Sequence, residues 1–362
     1  MASSIITNRL INQQIAGSAF KTPVQLLHWM AAMQAQDFGM AKWALGLRLP
    51  HLHDVDIDEA FNDGAILRTH VLRPTWHFVT PADIRWMLAL TSPRIHGVNA
   101  YYYKKFELDA KVFNQCNNIF TKALQGGKFA TRNALVHELA KHKITADGVR
   151  LTCIMMHAEL DGVLCSGPRE GKQFTYALLE ERVPPAKALT QQEALVELTT
   201  RYFNSRSPAT VQDFSHWSGL SVTDAKAGID LLKDKLVKEK MEGQEYWIAE
   251  DAPHNTHAPS TKPKQTFLMP DYDEYAISYK HRDAILGEKK NTGNVKNDNP
   301  LFYHTLIVDG LAAGTWQRMT KAGNTRVEIT ATKPFNKTKQ QAVDRAVWKY
   351  LAFVNGKKSK KE

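Results

Sequence analysis

Two neutral amides, Gln34 and Gln36, stand one residue apart in Met33-Gln34-Ala35-Gln36-Asp37, a short polar island between two apolar segments. A glutamine carbonyl accepts a hydrogen bond and its NH2 group donates two, so such a pair can hold a water molecule in place without ionising. The geometry matters. On a continuous helix, residues i and i+2 point in different directions, whereas in an extended junction they point the same way. The triplet alone is weak support for a site, and an ordinary helix-surface role for both glutamines competes with this reading. Asp37 is read first as a helix cap and only second as a catalytic carboxylate, because it stands directly before an apolar helical segment.

The elements that must position the pair follow from the flanks. Leu26, Leu27, Met30 and Met33 recur at helical spacing, and Thr22-Pro23 supplies a cap followed by a proline at the first helical position. These residues predict a buried amphipathic helix running to Met33. Asp37 then opens a second helix carrying Ala41, Trp43, Ala44, Leu45 and Leu47.

The 362 residues suggest two or three domains, and the 43% hydrophobic and 23% charged content is that of a soluble globular protein. There is no signal peptide and no apolar run long enough to span a bilayer, so a cytoplasmic location without membrane contact is expected. Cys116, Cys153 and Cys165 are widely spaced and read as reduced core residues. The 14 histidines form no HExxH or comparable pair, so neither a metal nor a cofactor is expected. The net charge of +10 favours an anionic partner, with nucleic acid the commonest, over a merely basic soluble protein. Part of this charge lies in the terminal Gly356-Lys357-Lys358-Ser359-Lys360-Lys361-Glu362, read as a disordered basic tail, yet the rest of the chain stays basic without it.

Along the chain, a plan of helices followed by a two-stranded ribbon recurs three times. Residues 1–110 form the first unit, with strands in Ile66–Val79 broken near Pro74 and a further helix from Thr80 through Leu90. Residues 111–185 form the second, with a loop at Gly167-Pro168-Arg169-Glu170-Gly171-Lys172 that reads as a wing tip. Residues 186–252 form the third, with capping-box starts at Thr210 and Ser221 and a hairpin over Leu236–Ala249. Its helix mixes Asp224, Lys226, Asp230, Lys233, Asp234 and Lys235, a poor surface for a DNA groove, and is read as structural. A Pro/His/Thr linker covers 251–263. Residues 264–355 turn to strands, with a polar loop at 288–299 and a closing helix over 338–354. The fold class expected is α+β: tandem winged-helix units, then a C-terminal antiparallel β-barrel or sheet with a closing helix.

Several stretches together resemble one family: Gln34-Ala35-Gln36-Asp37 with Trp43–Arg48, Leu67-Arg68-Thr69 through Trp76-His77-Phe78-Val79, Asp161–Gly167, Tyr202–Thr210 and Asp271-Tyr272-Asp273-Glu274-Tyr275. In this order, and over nearly the whole chain, they are similar to the AlkZ-like winged-helix DNA glycosylases. That resemblance implies tandem winged helices forming a concave DNA-binding face. It implies a monofunctional enzyme that excises cationic alkylated purines such as N7-alkylguanine and N3-alkyladenine and, in some members, unhooks interstrand crosslinks. It also implies a Gln-x-Gln catalytic motif, matched here by Gln34 and Gln36. An alkylated purine carries a formal positive charge and leaves readily, so the site need only place water and stabilise a cationic sugar. Gln36 is assigned to the water and Gln34 as its partner. The partner expected is double-stranded DNA carrying alkylated bases, bound by a monomer that meets the nucleoid through DNA, in an open cleft rather than a tight base-flipping pocket. Arg68, His70, Arg73, Arg169 and Lys172 are the candidate DNA contacts, each weighed evenly against a plain solvated surface. A non-catalytic winged-helix DNA-binding or regulatory protein is the alternative, and a protein-binding scaffold a further one.

Overall fold

The computed structural model describes residues 2–250, 265–286, 303–321 and 324–356. It is a mixture of helices and antiparallel sheets that divides into two compact units: Met1–Asp58, Val196–Trp217 and Ser221–Glu362 in the first, Glu59–Leu195 and Ser218–Leu220 in the second. The expected linker at 251–263, the loop at 288–299 and the tail beyond Gly356 lie outside the described residues.

The first unit opens with α1 (Ala2–Asn12) and α2 (Pro23–Met30). Thr22 caps α2 by accepting from Gln25 N–H, and Gln25 returns the bond in a capping box. The helix ends at Met30, three residues sooner than the apolar spacing predicts. Ala31 has φ 60° and ψ −57°, and Ala32 N–H donates to Met30 O at 2.7 Å. This is a γ-turn with positive φ, a strained conformation for a residue with a Cβ. Beyond it run β1 (Met33–Gln34) and α3 (Phe38–Arg48). Asp37 caps α3, accepting from Met40 N–H at 2.9 Å.

The chain passes through α4 (Asp54–Asn62) into the second unit. There β2 (Leu67–His70) and β3 (Trp76–Val79) pair antiparallel, with Arg68 opposite Phe78 and His70 opposite Trp76. Helix α5 (Pro81–Lys105) continues well past the expected end at Leu90, through Pro93. Then come α6 (Ala110–Leu124), β4 (Ala130–Thr131), α7 (Arg132–Lys141), α8 (Gly148–Leu160), β5 (Leu164–Ser166) and β6 (Thr175–Leu178). Strand β6 lies between β4 and β5. Phe113, Phe120, Leu135, Leu139, Ile154 and Leu164 share the core of this unit. Cys116, Cys153 and Cys165 are buried free thiols, and burial pushes all three up from the ordinary thiol range.

After α9 (Leu179–Arg182), α10 (Gln191–Arg206) carries the chain back to the first unit. Helices α11 (Val211–Ser218) and α12 (Val222–Asp230) precede a hairpin of β7 (Leu236–Met241) and β8 (Gln244–Ala249). The expected C-terminal β element is a four-stranded antiparallel sheet in the order β12 (Asn324–Ala331), β11 (Leu311–Lys321), β10 (Thr305–Val308), β9 (Thr266–Leu268). Two short helices, α13 (Glu274–Ile277) and α14 (Asp283–Leu286), lie between β9 and β10 in sequence. The closing helix α15 (Lys337–Asn355) packs on β9 and α3. Trp43 of α3 is the pin. Its ring meets Tyr350 at 5.1 Å and Phe353 at 5.3 Å, and its indole N–H donates to Leu268 O at 2.7 Å.

Asp37→Ala should lower stability by about 1 kcal/mol in urea unfolding, with Asp37→Asn retaining most of it, because a cap needs an acceptor rather than a charge. Equal losses in both variants would count against the capping role.

Candidate active site in the first unit

The γ-turn at Ala31 converts a helix into extended chain just before Gln34. Gln34 is half-buried, Ala35 is buried and Gln36 is exposed, so the two amides flank an inward-facing methyl. The strand ends at Gln34, and Gln36 stands in the bend that leads to α3.

What holds the junction is a buried ion pair. Arg206, fully buried at the end of α10, donates through Nη1 to Met30 O at 2.9 Å and through Nη2 to Ala32 O at 3.0 Å. One guanidinium thus clamps the carbonyls on both sides of the strained Ala31. Nη2 also donates to Glu274 Oε2 at 2.9 Å. That same carboxylate oxygen accepts from Trp217 Nε1 at 2.9 Å and Ser278 Oγ at 2.5 Å, while Oε1 accepts the backbone N–H of Gln34 at 2.9 Å. Burial by itself would raise the Glu274 carboxyl. The Arg206 guanidinium, the Ser278 hydroxyl and the Gln34 amide outweigh it and hold the group at about 2. Arg206 also lies over the Trp217 ring at 4.2 Å.

A second ion pair supports the first. Arg48 grips Asp273 through two bonds, Nη1 to Oδ2 at 2.8 Å and Nη2 to Oδ1 at 3.0 Å, and donates through Nε to Gln13 O at 2.8 Å. Asp273 in turn caps α13 by accepting from Tyr275 N–H at 2.8 Å, which orients the turn bearing Glu274. Asp273 and Glu274 of the acidic stretch Asp271–Tyr275 are thus both committed to buried ion pairs. Sequence reading singled out this stretch and Tyr202–Thr210 without assigning Glu274 or Arg206. Neither carries a local signal, since Glu274 directly follows Asp273 and Arg206 stands between Ser205 and Ser207.

Each sequence-predicted residue has a definite place. Gln34 and Gln36 belong to the first unit, and Arg68, His70, Arg73, Arg169 and Lys172 to the second. Arg68 and His70, expected on a DNA-facing surface, are instead more than nine-tenths buried. His70 Nδ1 meets Glu159 Oε2 at 2.7 Å, its backbone N–H donates to the same oxygen at 3.0 Å, and its ring packs on Trp76 at 3.9 Å. Arg68 lies over the rings of Trp76 at 4.2 Å and Phe174 at 4.7 Å. Stacking and pairing draw both inward, because a ribbon packed on β5 has little open face. Arg73 and Arg169 are half-buried, and Lys172 is exposed. Arg169 donates to Lys172 O at 3.1 Å, which shapes the loop.

In the second unit a cavity of about 360 Å³ brings Arg68, Arg132 and Lys172 together with Trp76, Phe174 and Tyr176, and no carboxylate lines it. A cavity of about 450 Å³ in the first unit lies along α15, lined by Trp43, His53, Phe267, Arg345 and Lys349. Neither lining includes Gln34 or Gln36.

Three comparisons bear on the chain as a whole. A family model described as DNA glycosylase AlkZ-like matches residues 27–353. A relative from Streptomyces sahachiroi, named interstrand DNA cross-link repair glycosylase, is 21% identical over 336 residues, spanning 90% of this chain and 88% of the relative. The solved structure of Streptomyces sahachiroi DNA glycosylase AlkZ superimposes with a TM-score of 0.78 at 17% identity, covering 97% of this chain and 96% of that one.

Glu274→Gln should destabilise the protein at pH 7 by roughly 3–5 kcal/mol, since it leaves Arg206 buried without its counter-charge. The folded-state carboxyl lies at about 2, below its unfolded value, so its contribution is present above the unfolded value and fades as pH falls toward the folded one. Denaturant unfolding of wild type and variant should therefore converge as pH falls from 7 to 3. A gap that stays constant over that range would contradict the ion-pair account.

Proposed function

The chain belongs to the AlkZ-like DNA glycosylase family, and from that premise we propose that it hydrolyses the N-glycosidic bond of cationic alkylated purines in double-stranded DNA. N7-alkylguanine and N3-alkyladenine are the substrates this chemistry favours, and interstrand crosslinks built on the same positions fall in the same class. The observation that carries the reading is the commitment of Glu274. The carboxylate bonded to the Gln34 backbone is buried, held by four donors and kept ionised far below neutral pH, so it is no base for a water. Asp37 is spent as a cap. Water placement then falls to neutral amides. A cationic purine already carries the charge that makes it leave, so the enzyme need not protonate it. In this proposal Gln36, the more exposed of the two, accepts a hydrogen bond from the attacking water through Oε1, and Gln34 orients Gln36 or the sugar–phosphate.

The tandem winged-helix organisation belongs to the same proposal, with units at 1–110, 111–185 and 186–252 before a C-terminal β element at 264–355. The antiparallel pairs β2–β3, β5–β6 and β7–β8, each following helices, support it. DNA phosphates would be met by the loop of Arg169 and Lys172 and by the cationic cavity beside it, with Arg68 contributing positive potential from beneath. The protein is proposed to act as a monomer.

Base release from a duplex carrying one N7-methylguanine should fall about 100-fold or more in Gln36→Ala, a typical loss for a removed positioning group, while duplex affinity stays nearly unchanged. Equal release by wild type and Gln36→Ala would remove the glutamine from the chemistry. Release by neither, on this lesion or on a nitrogen-mustard crosslink, would favour a DNA-binding protein without turnover. Lys172→Ala should lower the salt dependence of duplex binding, reducing the slope of log K against log salt by about 0.9 for one lost phosphate contact. An unchanged slope would place Lys172 away from DNA.

A further inference from the structure

The second unit contains a cluster the glycosylase reading leaves unused. His96 on α5 and His157 near the end of α8 converge on Asp161, which caps the C-terminus of α8. His96 Nε2 lies 3.3 Å from Asp161 Oδ1, and His157 Nδ1 lies 3.1 Å from Oδ2. One donor atom from each of the three side chains falls within 4.8 Å of the other two. From these residues we propose a binding site for one divalent transition-metal ion of the zinc class, held by His96 Nε2, His157 Nδ1 and Asp161.

Three observations carry it. First, the contacts are near the spacing of a coordination shell: with zinc–ligand bonds of roughly 2.0–2.2 Å, tetrahedral ligand atoms stand about 3.3 Å apart. Second, His157 Nδ1 is shielded from solvent and has no hydrogen-bond partner, despite its proximity to Asp161. The 3.1 Å contact with Asp161 Oδ2 is off the direction of a hydrogen bond, and a cation between the two atoms would satisfy both. Third, the rings are held from behind. His96 Nδ1 lies 3.1 Å from the Tyr103 hydroxyl, a contact that holds the ring with Nε2 toward Asp161. His157 is stacked on Phe113 at 3.5 Å and 14°. Asn117 Nδ2 donates to Asp161 Oδ2 at 3.3 Å, orienting the carboxylate.

The site is partly open. The side chains of His96, His157 and Asp161 are 26%, 16% and 35% exposed, which leaves room for water or another ligand at a fourth position. Its evident effect is mechanical, because it ties α5 to the C-terminus of α8. The sequence hides it: His157 and Asp161 are one helical turn apart, but the third ligand comes from a distant helix, so no linear motif forms.

The experiment uses the untagged full chain freed of metal with a chelator, titrated with ZnCl2 by calorimetry at pH 7.5 and, in parallel, with CoCl2 by visible absorption. One saturable site per chain is expected in wild type. His96→Ala and Asp161→Asn should each weaken binding at least tenfold, the scale expected for lost ligands. Zinc should raise the melting temperature of wild type but not of the variants, and affinity should fall at pH 5.5 as protons compete for the imidazoles. Far-ultraviolet circular dichroism checks that the variants fold, and His142→Ala serves as a control at a histidine outside the cluster. Binding that does not saturate, or that is the same in wild type and both ligand variants, would be adventitious and would overturn the proposal. These outcomes do not depend on base release, so they stand apart from the fate of the glycosylase reading.

Discussion

The first unit depends on a single buried pair of opposite charges, Arg206 and Glu274. Removing either ion from water costs several kcal/mol, and their attraction offsets that cost only when every remaining donor and acceptor finds a partner. Here they do: the guanidinium serves two backbone carbonyls, two hydroxyls and a carboxylate, and the carboxylate receives an indole, a hydroxyl and a backbone amide besides. The pair draws α10, α11, α13 and the Gln34 junction onto one point. Hydrophobic contact would not specify that point so narrowly, since apolar packing is non-directional.

The same pair explains why a strained turn survives. A residue held in a sparsely populated backbone region costs on the order of 1–3 kcal/mol and persists only where its surroundings over-determine it. At Ala31 the surroundings are the two Arg206 bonds to Met30 and Ala32. Relaxing the turn into helix would rotate Gln34 and Gln36 to different faces. The strain and the clamp are therefore one feature viewed at two levels.

Much of this was legible in the sequence. Thr22, Asp37 and Ser221 cap the helices expected of them, because caps rest on local chemistry. The hairpin at 236–249 and the strands of the C-terminal sheet follow from alternation and turn residues. The end of α2 was missed because Met33 continues the apolar spacing; what stops the helix is Arg206, far along the chain. The extent of α5 was missed because Pro93 and the polar residues after it mask a helix that tertiary packing sustains. Arg68 and His70 were placed at the surface on residue type alone. Glu159, which draws His70 inward, sits on a helix whose apolar pattern gave no hint of a buried acid. Long-range pairing of charges is the part of this fold that periodicity cannot carry.

That pairing also bears on why the proposed site would use glutamines where hydrolytic sites commonly place carboxylates. A free carboxylate beside the junction would compete with Glu274 for Arg206 and, once buried, would need a counter-charge of its own. Neutral amides avoid this competition. They add hydrogen-bonding capacity at a point already saturated with charge, and they keep it unchanged across the pH range in which DNA is stable. Weak basicity is then the condition under which a polar site can sit against a buried ion pair without undoing it. It also restricts the chemistry to leaving groups that need little help, so the electrostatics of the core and the class of substrate proposed for the site follow from the same constraint.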